Sequence, residues 1–206
     1  MDERKDEKIS RNRLEALVDG IFAFAMTLLV TGLVIPRLSK NDAAGFAVSL
    51  AEMRSEFISF LVAFFVLASF WNIHNRQFRH VRRVDAGIMR ITLMILVCVV
   101  LMPFTTNISG DYSGVQVAVN LFHANMFGLA LFFLIHWLYL IRHPGITSVA
   151  IGSPEASMGV CRCLVTPVIS LLGFVVSFFS PAWSMAAYLL IVPGVAAVGR
   201  SFRRNR

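Results

Sequence analysis

Apolar residues run nearly unbroken through six stretches of this chain, at residues 14–35, 56–78, 88–108, 115–141, 160–179 and 182–198, with polar residues gathered between them. About 20 apolar residues in helical form cross a hydrocarbon core of roughly 30 Å, so the pattern predicts six transmembrane helices. Little chain is left for anything else. An all-α, polytopic membrane protein is the expected fold class, with residues 1–206 forming one six-helix domain. A short interfacial helix is expected at 44–50, inside the longest connection. N-I-S-G-D-Y-S-G, between the third and fourth stretches, has the Gly and Ser content of a tight turn. Pro167, Gly173, Pro193 and Gly194 predict kinks in the last two spans.

Composition agrees with the pattern. Hydrophobic residues make up 57% of the chain and charged residues 15%, against roughly 25% charged in soluble domains. The net charge of +7 would suit nucleic acid if it formed one basic face, but it is split into clusters. Arg4, Lys5, Lys8, Arg11 and Arg13 precede the first span. Arg76, Arg79, Arg82, Arg83 and Arg90 lie between the second and third, and Arg200, Arg203, Arg204 and Arg206 end the chain. The alternate loops carry only Arg37, Lys40 and Arg54, beside Asp42 and Glu52. Charges placed this way orient a membrane protein, with both termini in the cytoplasm, and argue against a nucleic-acid partner. The first span is too long for a signal-peptide core and lacks a small-residue cleavage site, so it is expected to be retained. Cys98, Cys161 and Cys163 read as packing residues, not as a disulfide framework or metal site. No internal duplication is evident, so a symmetric pore would need several chains.

Within the first span, R-L-E-A-L-V-D-G-I-F-A-F-A-M-T-L-L-V, one carboxylate stands out. A charge at the bilayer centre costs about 2.5–3.5 kcal/mol even on lenient scales, so Asp19 is expected to face protein, a water-filled cavity or an ion path. Glu15, one turn earlier, repels it; the partner must come from another helix. Asp19 lies about 7.5 Å along the first span and His74 about 6 Å from the matching end of the second, at 1.5 Å per residue. Trp71 shares a face with His74 and brings an indole N–H that needs an acceptor when buried. A network of Asp19, Trp71 and His74, with Arg13 adding charge, is one reading; an aromatic belt at the interface is the other. Farther along, Phe24, Thr27, Leu28 and Thr31 follow i, i+3, i+4, i+7 spacing. Such a stripe serves ordinary helix packing, or, with two hydroxyls among large apolar side chains, a narrow ion constriction. His123 and His136 in the fourth span suit hydrogen-bonded helix contacts. No H-E-x-x-H, G-x-S-x-G or phosphate loop points to an enzyme, and no T-V-G-Y-G filter is present.

The first-helix segment, together with W-N-I-H in the second span and L-M-P-F-T-T in the third, resembles the prokaryotic single-repeat members of the transmembrane protein 175 family, the lysosomal potassium channels. The family's first-helix signature is R-x-x-x-F-S-D. This chain keeps Arg13 and Asp19 but has Leu17 for the Phe and Val18 for the Ser. The resemblance covers the first three spans; the last three match in length and hydropathy. It implies a homotetrameric, potassium-permeable channel of the cytoplasmic membrane, embedded in lipid, with the first span lining the pore and no cofactor beyond permeant potassium. It further implies that Phe24 forms the narrowest ring, where the family more often has Ile or Leu. Thr27 takes the hydroxyl position tied to potassium preference, and Arg13, Asp19, Trp71 and His74 tie the first span to the second. The rival expectation is a proton-coupled secondary transporter using Asp19 and His74, against which stands the absence of a repeat or of matching broken helices.

Overall fold

The computed structural model of the protein describes residues 11–34 and 43–204. The basic arm at Arg4, Lys5 and Lys8, the helix stop expected at Pro36, the loop charges Arg37, Lys40 and Asp42, and Arg206 lie outside the described residues. Helix α1 runs Arg11–Leu28 and continues as a 3-10 turn, Leu29–Gly32. A short helix α2, Ala43–Glu52, precedes α3, Arg54–Phe78. Then come α4, Ala86–Asp111, α5, Gln116–Arg142, and α6, Pro154–Ser177. Five of these helices are long and apolar enough to cross a membrane.

Local chemistry sets the helix starts. The Asp85 carboxylate accepts the Ile88 N–H at 2.8 Å and opens α4. Ser153 accepts the Ala156 N–H at 3.1 Å before a proline at the first position of α6, where a missing N–H costs nothing. Pro103 and Pro167 sit inside α4 and α6, and both helices continue through them. The sixth apolar stretch differs from the single helix its hydropathy predicts. It comprises α7, Pro181–Ser184, a 3-10 segment Met185–Leu190, and α8, Ile191–Arg204. Pro181 and Pro193 are the reason: each is comfortable only in the first turn of a helix, so the stretch is written as two helix starts.

Long helices that follow one another pack together, and α1 also packs against α4, which starts at the same end of the bundle. Helix α4 lies along α5, α5 along α6, and α1 against α3 and α4. The core centres on Phe22, Phe70, Phe122, Met126 and Phe133, with the Phe70 and Phe133 rings stacked at 5.1 Å. A second cluster, including Leu14, Phe78, Val81, Ile88, Trp137 and Val149, gathers the start of α1, the end of α3, the start of α4 and the end of α5 at one end of the bundle. There the α3–α4 and α5–α6 loops are stitched together: Arg82 N–H donates to the Ile146 carbonyl at 2.8 Å, and Ser148 N–H to the His80 carbonyl at 2.9 Å. At the opposite end, the Asn107 side chain of α4 comes so close to Gly32 that no Cβ fits between them.

Candidate functional site

Helix α1 has two unlike faces. Leu14, Val18, Phe22, Ala25 and Leu29 are buried against α3 and α4. Their positions repeat every three to four residues, so the opposite side holds Gly20, Ala23, Phe24, Thr27 and Thr31, all exposed. Phe24 is 63% exposed, and nothing lies within 4 Å of where a Cβ on Gly20 would stand. Among the described residues no element covers this face. The contrast with other uncovered faces is chemical. Along its middle α4 exposes Leu93, Met94, Val97, Val100, Leu101 and Phe104; α6 exposes Leu164, Val168, Leu171 and Val175. Those are large apolar side chains of the kind lipid tails receive. The face of α1 instead sets small residues, hydroxyls and one aromatic ring among the exposed aliphatic side chains of Leu17 and Val30, a composition suited to close approach of another helix or to water.

The hydroxyls on this face are oriented by the backbone. Thr27 Oγ1 donates to the Phe24 carbonyl at 2.8 Å and Thr31 Oγ1 to the Leu28 carbonyl at 2.7 Å. With the proton committed to the helix, each oxygen can offer only lone pairs outward, which is what a cation shedding water requires. Leu28 is half-buried and Thr31 falls in the 3-10 turn, so the predicted stripe tightens its winding over its last residues.

Near the other end of α1, Trp71 Nε1 of α3 donates to Asp19 Oδ1 at 2.8 Å. This bond joins the two helices on the exposed side of the core. His74, one turn beyond Trp71, goes elsewhere. It is fully buried, stacked on Phe78 with ring centroids 4.5 Å apart, and neither ring nitrogen has a hydrogen-bond partner in standard geometry. Asp19 reaches it as a field, not as a bond. Arg13 is exposed six residues before Asp19 on α1.

Sequence reasoning passed over Gln77. Its amide nitrogen donates to the Phe133 carbonyl at 3.2 Å and to Cys163 Sγ at 3.3 Å, while its oxygen meets His136 Nδ1 at 2.7 Å, tying α3 to α5 and α6. The signal available was its i+3 spacing from His74 on a face otherwise apolar. His123 is held by the Tyr188 hydroxyl at 2.7 Å and Ser184 Oγ at 2.9 Å, which anchors the 3-10 segment to α5. Among the described residues no group of three His, Cys, Asp or Glu side chains could hold a metal ion.

Comparison with known proteins places this geometry. Residues 13–103, which carry most of α1, α3 and α4, match the family described as endosomal/lysosomal potassium channel TMEM175. A Streptomyces collinus protein named as a potassium channel is 28% identical over 148 residues, covering 70% of this chain and 71% of that protein. Another so named, from Chamaesiphon minutus, is 25% identical over 177 residues, covering 84% and 87%. Among solved structures, the Chamaesiphon minutus homologue of the lysosomal potassium-selective channel TMEM175 superposes with a TM-score of 0.79 at 24% identity, over 91% of this chain and 97% of that one. A variant of the potassium channel MtTMEM175, solved with a nanobody fusion, gives 0.62 at 17% identity over 99% of each chain. Residues 13–103 thus match the TMEM175 family model, and the chain shares the fold of the solved TMEM175 channels over nearly its whole length.

Proposed function

We propose that this protein is a potassium-permeable cation channel in which four copies place the uncovered face of α1 around a common axis. The observation that carries the reading is that face itself. It is uncovered among the described residues and bears Phe24, Thr27 and Thr31 where the middles of α4 and α6 bear large apolar side chains. Four such helices at interaxial distances of about 8–10 Å leave a gap that side chains nearly fill. Phe24 then sets the width and the Thr27 oxygens replace part of the ion's hydration. Asp19 and Trp71, with Arg13 nearby and His74 buried behind them, hold α1 at the angle this requires. The names of the bacterial relatives support potassium as the permeant ion, with no cofactor. The basic residues gathered at the start of α1 and between α3 and α4 support a single domain in a prokaryotic cytoplasmic membrane with both termini inside.

Purified protein in planar bilayers tests this. Discrete openings are expected, with a reversal potential that moves toward the potassium equilibrium potential when potassium and sodium are set in opposing gradients. Thr27→Val should shift that reversal toward zero while current persists. Strictly coupled proton-driven turnover without openings would overturn the reading.

A further inference from the structure

At the end of the bundle where the basic loops gather, α3, α5, α6 and α8 border a partly open cavity of about 230 Å³. Its walls bring together three guanidinium groups, Arg76 and Arg79 from the end of α3 and Arg162 from the third turn of α6. An adjoining open cavity of about 510 Å³ shares Arg76 and Arg79 and extends between α3 and α8. The one carboxylate lining the smaller cavity, Glu155, stands 3.6 Å from His80 Nε2. Among the described residues none of the three arginines is paired with a carboxylate. Arg76 Nε donates to the Asn72 carbonyl at 3.3 Å and lies in the repelling fields of Arg162 and Arg79. Arg162 Nε is cut off from solvent with no hydrogen-bond partner, and its Nη2 lies 3.0 Å from where a Cβ on Gly199 of α8 would stand. The floor is neutral: Gln77 and Cys163 bond to each other at 3.3 Å.

Three like charges around one partly open cavity, with Arg76 and Arg79 exposed and Arg162 half-buried, repel one another, and the buried Arg162 Nε–H, without an acceptor, carries a desolvation penalty. An anion with several oxygens relieves both. Guanidinium forks match phosphate oxygens two at a time, and the apolar side chains of Ile73, Met158 and Val195 beside them offer a dry rim. We propose that this cavity is a binding site for a phosphate group, held by Arg76, Arg79 and Arg162 and opposed by Glu155. The group reaches it either as the headgroup of an anionic membrane lipid or as free phosphate. The site is separate from the α1 face and does not depend on which ion that face conducts.

The full-length protein is reconstituted in nanodiscs of phosphatidylcholine, with or without phosphatidylglycerol. Lipid retention is read by native mass spectrometry, and inorganic pyrophosphate is titrated into the neutral discs while the thermal unfolding midpoint is followed. Retention of phosphatidylglycerol identifies the lipid source; a raised midpoint with pyrophosphate identifies the free anion. Arg162→Gln is expected to weaken the responding probe about fivefold and Arg76→Gln with Arg162→Gln about 25-fold. Glu155→Gln is expected to strengthen it, an effect that a purely structural role for these residues does not produce. Arg142→Gln, an exposed charge at the end of α5 outside the cavity, leaves it unchanged. Should the double variant fail to assemble, Arg162→Lys, which keeps charge but loses the fork, and Glu155→Gln decide. No response of wild-type protein to either probe, or responses in Glu155→Gln and the arginine variants equal to wild type, would overturn the proposal.

Discussion

The Trp71–Asp19 hydrogen bond joins an indole N–H to a carboxyl oxygen at 2.8 Å, and a typical hydrogen bond contributes about 0.5–1.5 kcal/mol. Asp19→Ala removes the acceptor and leaves the indole N–H with none, so tetramer yield in mild detergent is expected to fall before permeation does. Asp19→Asn keeps one acceptor oxygen and is expected to assemble nearly as wild type. Normal tetramers without current in Asp19→Ala would mean the carboxylate acts on the ion and not on the helix pair. Phe24 makes the opposite kind of prediction. Its ring is 63% exposed, so Phe24→Ala is expected to leave the fold intact, raise single-channel conductance and weaken discrimination between ions. Unchanged conductance would remove Phe24 from the path. The depth match that pointed to Trp71 used only rise per residue, and the two side chains do meet. His74 shows the limit of that reasoning. Its depth is right, but its rotation about α3 turns it inward toward Phe78 and His136, and rotation depends on partners that a single helix does not reveal.

Elements were legible wherever hydropathy and capping chemistry agreed. The span expected at 88–108 is α4, Ala86–Asp111, and the helix expected at 44–50 is α2, Ala43–Glu52. The last stretch, expected as one span at 182–198, is helical but built in three pieces, because hydropathy counts apolar residues without asking where two prolines allow a helix to begin. Capping also gives a measurable pH dependence. Burial pushes the Asp85 carboxyl up, but the Ile88 N–H and the Tyr139 hydroxyl, bonded at 2.8 and 2.7 Å, outweigh it and hold the group below the ordinary carboxylate range. A carboxylate depressed by folding adds stability above its unfolded value and loses it as pH falls through the folded one. The thermal midpoint of wild type is therefore expected to drop from about pH 5 downward more steeply than that of Asp85→Asn. At neutral pH, Asp85→Ala is expected to cost about 1 kcal/mol through the lost cap. Parallel pH profiles in wild type and Asp85→Asn would show that the cap carries no folding-linked charge.

The molecule is a bundle whose core holds its helices together and whose α1 bears, among the described residues, an uncovered face chemically unlike the uncovered middles of α4 and α6. A sequence can show that such a face exists, because period and composition are written in it. It cannot show that the face is left uncovered among the described residues, since that follows from how α3 to α8 close around the other side. The most direct test is a cysteine scan along α1 in protein whose Cys98, Cys161 and Cys163 have been replaced, with current recorded as a charged, membrane-impermeant thiol reagent is added. Block is predicted for cysteines at Gly20, Ala23, Phe24, Thr27 and Thr31 and not at Val18, Phe22, Ala25 or Leu29, following the exposed and buried faces. Block without that periodicity, or block confined to cysteines on the exposed face of α4, would contradict a pore lined by α1.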